Sequence, residues 1–243
     1  MGQIGYCYGS EWHLLRFLGH HRHRLNDELA AVLRHDGVDP VGAMKWLDYP
    51  ADPKRKSGDG EIVAMDFLPD MGGQAWRSFW PDKRSAPNRN GMPSWDAIGT
   101  HTVGANREWL LVEAKAHVDE FAKGGPCGAG TRSRTKILAA MHDLRRAIGA
   151  ATLSDAEIEA KMVNTPWYQY ANRLACLHFL NNVIGVPARL VYIGFLNDQH
   201  AGKVCPANAA QWQALVAQCH QDLGIPMGHR LSDRVHQLHL DVK

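Results

Sequence analysis

The sequence predicts a mixed α/β fold, one β-sheet flanked by helices. Three observations carry that prediction. Leu14, Leu18, Leu25, Leu29 and Val32 recur at helical spacing across residues 10–35. Trp109 to His117, WLLVEAKAH, reads as a strand. Tyr168 to Asn182 has a strong helical pattern, ended by Gly185-Val186-Pro187 and followed by ARLVYIGFL, Ala188 to Leu196, which reads as a buried strand.

Taken in chain order, residues 10–35 are expected to form one long amphipathic helix, with Ser10 as its cap, Gly37 as its stop and Gly19 as a weak point. Met44 to Leu47 and Ile62 to Leu68 read as the two strands of a hairpin, with the polar DPKRKSGDGE as its loop. Pro69 to Pro93, rich in Gly, Pro, Asn and aromatics, reads as an irregular surface excursion. SWDAIGT and REWLLVEAKAHV read as strands joined by a turn at Gly104 to Asn106. KGGPCGAGTRS, residues 123–133, lacks the Gly-Lys-Ser/Thr ending of a phosphate-binding loop and reads as a connector. A helix is expected over 134–148, a short one from Ser154, and a last one over 207–223, before VHQLHLDV alternates as an edge strand. No repeat or composition break divides the chain, so residues 1–243 are expected to be one domain with inserted loops at about 69–93 and 119–165.

Composition narrows the class. Hydrophobic residues are 45% and charged residues 21%, which excludes wholesale disorder and a coiled coil. Arg, His, Asn or Asp interrupts every apolar run before it reaches a membrane span, and MGQIGYCYGSEWHLL lacks the basic start and apolar stretch of a secretory signal. Five scattered cysteines, at 7, 127, 176, 205 and 219, fit free thiols in a reducing cytoplasm. A net charge of +2 is too mild to announce a nucleic-acid binder, but basic residues cluster at Arg16 to Arg24, Lys54 to Lys56 and Arg132 to Lys136.

The chemistry is concentrated in WLLVEAKAH. Alternation along a strand turns Leu110, Val112, Ala114 and Ala116 to one face and Leu111, Glu113 and Lys115 to the other. An acid and a base two residues apart thus project side by side from an otherwise apolar strand. Read alone, this fits a surface salt bridge on a half-exposed strand as well as a site. Asp96, in the preceding strand-like segment, shifts the balance, because a hairpin sets it opposite Glu113. Two adjacent carboxylates are a hard-oxygen site suited to magnesium, and a neighbouring lysine can orient a water or offset charge on a phosphoryl group. As a residue ahead of Gly99, Asp96 also suits a turn.

Asp96, sixteen intervening residues, then Glu113-Ala114-Lys115 resembles the PD-(D/E)xK nuclease superfamily and its restriction-endonuclease-like fold. The expected order of helix, three strands, helix, strand is similar to that family's core. Gln169 and Arg173, one turn apart before the buried strand, look like the Gln-x-x-x-Tyr element of some family branches, with Arg in place of Tyr. Trp95 stands where the family name has proline, a position that is not a ligand. The resemblance covers roughly residues 10–35, 94–117 and 168–196.

What the resemblance implies is a metal-dependent nuclease acting on DNA. Asp96, Glu113 and the carbonyl of Ala114 would hold magnesium, with manganese able to substitute. Lys115 would act on the attacking water or the transition state, and Gln169 and Arg173 would contact the water network or a phosphate. The family often takes a further acid from its first helix. At 100° per residue Glu11 falls near the centre of the leucine stripe, with Glu28 on its flank, so Glu11 is the expected acid; alternatively it complements the helix dipole. The Arg16 to Arg24 cluster, with Arg16 and Arg22, is expected either near the phosphate backbone or as a polar helix surface. The alternative class is a nuclease-fold protein without turnover, with a nucleic-acid-binding or structural role. A homodimer is a further expectation.

Other motifs point elsewhere less well. His20, His21 and His23 lack the spacing and partners of a metal site. Trp76, Phe79, Trp80 and Trp95 suit core or loop packing better than base stacking. Cys127 and His142 have no flanking signature of a cysteine hydrolase, and no GxSxG marks a serine hydrolase.

Overall fold

The computed structural model describes residues 7–47, 62–68, 70–81, 93–122 and 125–243. The basic cluster Lys54 to Lys56 and the expected loop around it lie outside the described residues.

The architecture is a mixed α/β sheet covered by helices on both faces. Two helices, α1 (Ser10–Gly19) and α2 (Arg22–His35), precede β1 (Pro40–Trp46). The short β2 (Ile62–Val63) is followed by α3 (Asp70–Phe79), β3 (Ser94–Trp95), β4 (Ala97–Val103) and β5 (Asn106–Lys115). Then come α4 (Val118–Ala122), α5 (Thr131–Ile148), α6 (Asp155–Ile158) and α7 (Tyr168–His178), the last two each extended by a π-helical turn. β6 (Ala188–Leu196), α8 (Ala209–Leu223) and β7 (Val235–Asp241) complete the chain.

The main sheet has the order β1-β4-β5-β6-β7. β1, β4 and β5 run antiparallel, while β5, β6 and β7 run parallel, each parallel step needing a helical crossover. The central strands are buried on both faces. Leu110, Val112, Ala114 and Ala116 pack with Leu14, Phe17, Leu25 and Leu29 beneath α1 and α2. Leu111 and Ile98 pack on the other side with Ile137, Leu144, Leu174 and Leu177 of α5 and α7. Among the described residues no helix is long and apolar enough to cross a membrane, and all five cysteines are free.

Four expectations are corrected. The single helix over 10–35 is two helices broken at Gly19 to His21, where Gly19 is the weak point, and Leu14, Phe17, Leu25, Leu29 and Leu33 form the buried stripe. β1 pairs with β4, and Ile62–Val63 with β3, so the expected hairpin between them does not form; both short apolar pieces find a better-buried partner elsewhere. The excursion after Pro69 contains α3, which buries Trp76 and leads into the buried Trp80. Within 119–165 the expected helices form, α5 over Thr131–Ile148 and α6 from Asp155, but α5 packs on α7 as part of the layer that roofs the sheet rather than as an inserted loop. The edge strand β7, the β4–β5 turn and the short helix starting from Ser154 are as the sequence predicts, and the structure adds a capping box between Ser154 and Glu157.

Candidate functional site

β5 sets the site. Its alternation sends Glu113 and Lys115 to the face roofed by α7, with Leu111 beneath them. The pairing of Ala97 with Val112 brings Asp96, at the bend between β3 and β4, level with Glu113, and the Asp96 N–H donates to the Val112 carbonyl at 3.2 Å. One Asp96 oxygen, Oδ2, accepts the Ala114 N–H at 2.7 Å.

Glu113 is only 1% exposed, and both its oxygens are engaged. Oε1 accepts from the Lys115 ammonium, and Oε2 accepts Nε–H of Arg173 at 2.7 Å. Arg173 also donates to the Asn172 side chain and to the Ser94 carbonyl, and its guanidinium lies 4.9 Å from the centre of the Trp95 ring. A buried carboxylate persists only where cations and donors replace its water. Here two cations do so, one from its own strand and one from α7.

The charges sort the two acids. Burial pushes Glu113 up, but Arg173 and then Lys115 outweigh it and hold the carboxyl below its usual range. Burial, with Glu113's charge added, raises Asp96 to about 7, against the opposing pull of Lys115, the Ala114 N–H and Arg173. Lys115 is held above its ordinary value because Glu113 and Asp96 outweigh its desolvation. One acid is therefore firmly ionised and its neighbour titrates near neutrality, a separation typical of functional carboxylate pairs.

Hard-oxygen donors here are Asp96, Glu113 and the Ala114 carbonyl. Magnesium takes one or two protein carboxylates with several waters; Asp96 has one oxygen outside its bond to Ala114, while both Glu113 oxygens already accept from Lys115 and Arg173. Among the described residues no group of three or more His, Cys, Asp or Glu gathers as a metal site.

Glu11 is a correction. It is exposed in the first turn of α1, whose buried face is His13, Leu14 and Phe17. Counted on α1 alone, Glu11 lies roughly 110° from the centre of that face; the central placement required one unbroken helix through Gly19. Glu28 is also exposed, 4.0 Å from Arg24. Arg16 and Arg22 are exposed and donate to the Val242 and Leu18 carbonyls. Gln169 is part-buried on α7, one turn before Arg173. Arg173, expected to meet substrate, is 3% exposed and holds Glu113 instead.

One participant went unread in the sequence: Tyr192 sits beside Glu113 in the β5–β6 register. Trp95, expected to pack in a core, is fully buried and lies under Arg173. Tyr192 is an alternate residue of an apolar run, and nothing in ARLVYIGFL distinguishes it until β6 is paired with β5.

Scans against protein-family models, curated proteins and solved structures find no match to this chain.

Proposed function

We propose that this protein is a magnesium-dependent phosphodiesterase acting on nucleic acid, DNA foremost, of the PD-(D/E)xK type. The observation that carries the reading is the cluster of Asp96, Glu113 and Lys115 on one face of the sheet, with one carboxylate ionised and the other poised near neutral pH. The order of two helices, three antiparallel strands, helices and a parallel strand supports it as well.

A divalent cation held by Asp96, Glu113 and the Ala114 carbonyl would supply positive charge to a phosphoryl oxygen. Lys115 has the charge and the reach to stabilise negative charge developing on the phosphate. Arg173 orients Glu113 from behind, and one donor on each of its terminal nitrogens goes to Asn172 and to the Ser94 carbonyl. The exposed Arg16 and Arg22 and the half-buried Arg24 would provide phosphate-facing charge, with Arg16 and Arg24 bonded to the carbonyls of Val242 and Asp241 at and just past the end of β7. A reducing cytoplasm fits the free thiols.

One observation favours the second reading, a nuclease-fold protein that binds without turnover. Glu113 already has both oxygens occupied by cations. Metal titration by calorimetry, with a cleavage assay on single- and double-stranded DNA and on RNA, separates the two. Cleavage that requires magnesium or manganese, stops with chelator and falls sharply in Lys115→Ala supports the enzyme. No metal binding at millimolar concentration and no cleavage of any nucleic acid overturns it.

A further inference from the structure

We propose that Lys115 is an exchangeable counter-cation: its ammonium holds the place on Glu113 that a divalent cation takes, and leaves that place when the cation binds. The exchange deepens the phosphodiesterase reading above and rests on its choice of Asp96, Glu113 and the Ala114 carbonyl as donors.

The cluster is already charge-balanced. Asp96 and Glu113 carry at most two negative charges, and Lys115 and Arg173 set two positive charges against them. A divalent ion added to all four groups would leave a surplus of positive charge in a buried site, where unpaired charge is costly. The hydrogen bonds set the same limit. One oxygen of Glu113 accepts from Lys115 and the other from Arg173, while Oδ2 of Asp96 accepts the Ala114 N–H at 2.7 Å. Asp96 keeps Oδ1 for a cation, but Glu113 can offer an oxygen only if one of its two partners leaves.

Arg173 is fixed in place. Its side chain is 3% exposed, Nε donates to Glu113 at 2.7 Å, one terminal nitrogen donates to Asn172 at 2.8 Å and the other to the Ser94 carbonyl, and the guanidinium lies 4.9 Å from the centre of the Trp95 ring. Its departure would strand buried acceptors as well as a charge. Lys115 differs on each count. Among the described residues its ammonium bonds to Glu113 alone. Its side chain is 12% exposed against 1% for Glu113, and it lines a cleft with Phe121, Trp212 and His239. An ammonium is a compact charge on a flexible four-carbon stem, so it can swing toward water while its strand stays in register. The space it vacates lies against Oε1 of Glu113. Lys115 thus has two successive partners. Without metal it neutralises Glu113; with metal seated, its charge is released for the phosphate.

Calorimetric titration of the full chain with manganese tests the exchange, at about pH 8 so that Asp96 is ionised. Lys115→Met removes the competing charge on a stem of similar length and should bind manganese about tenfold tighter than wild type. Lys115→Arg keeps a cation for Glu113 and should bind no tighter than wild type. A crystal structure of wild type with manganese, which needs no variant, should show Lys115 Nζ more than about 3.5 Å from both Glu113 oxygens. Equal or weaker binding by Lys115→Met, or manganese seated while Lys115 still bonds to Glu113, overturns the exchange and leaves the metal-dependent reading standing. Binding by Lys115→Met but not by wild type supports the exchange and overturns the metal-dependent reading of the wild type. Binding by neither overturns both.

Discussion

Arg173, from the middle of α7, donates Nε–H to Oε2 of Glu113 at 2.7 Å, with side chains only 3% and 1% exposed. Sixty residues separate them in the chain. The pair ties the roof helix to the central strand at the point where the acidic cluster forms, so the same contact serves stability and the orientation of the carboxylate.

Breaking that pair from the arginine side should be severe. Arg173→Met leaves Glu113 with Lys115 alone and strands the Ser94 carbonyl, and it should destabilise by about 3–5 kcal/mol. Arg173→Lys should recover only part of this, since a point charge cannot serve Glu113, Asn172 and Ser94 together. Denaturant unfolding of the two variants measures both effects.

Lys115→Ala should behave differently. Glu113 keeps Arg173, so the loss of stability should be smaller than in Arg173→Met, while cleavage falls by about 10²–10³ if the ammonium acts on transition-state charge. Parallel unfolding and rate measurements check the split. A rate equal to wild type would trace the activity to a contaminant.

Asp96 makes the site pH-dependent. Its carboxyl is raised by burial and by Glu113 from an ordinary 3.8 to about 7. An acid raised in the folded state favours folding while protonated; that contribution is complete below the ordinary value and is lost as pH rises through about 7. Asp96→Asn keeps an oxygen for the Ala114 N–H, so it should raise the melting temperature most above pH 7, progressively less as pH falls, and change it little only below the ordinary 3.8. Metal binding that requires the ionised form should strengthen about tenfold per pH unit below 7 and level off above it. Calorimetric titration across that range should show the slope in wild type and lose it in Asp96→Asn.

At the far end of the sheet, Glu108 is a purely structural counterpart. It pairs with Arg189 at 2.5 Å and Arg234 at 2.9 Å, and the two arginines outweigh burial and keep its carboxyl below the usual range. Glu108→Gln should cost about 3–5 kcal/mol by leaving Arg189 buried and uncompensated, with the rate per folded molecule unchanged.

Gly194→Ala should also destabilise. The added methyl would meet the Trp212 ring, and that indole is pinned by its own bond to the Phe195 carbonyl at 3.1 Å. Overpacking of this kind costs about 1–3 kcal/mol, readable as a lowered unfolding midpoint.

The sequence by itself determined the mixed α/β class, the β4–β5 pair with its turn at Gly104, the helix-to-strand passage from Tyr168 to Leu196, and the common face of Glu113 and Lys115. These follow from local rules: apolar periodicity, turn chemistry and the two-residue repeat of a strand. The tertiary structure alone decided the rest. Whether residues 10–35 are one helix or two depends on how each half packs on the sheet, and with that phase went the burial of Glu11. β1 pairs with β4 because strand partners are chosen by burial across the whole sheet rather than by proximity in the chain. Arg173 left the substrate-facing role expected of it because a glutamate at 1% exposure needs a second cation, a need visible only once α7 lies over β5. Tyr192 became a member of the site only through the register of β6 against β5, a relation that no pattern within its own strand contains.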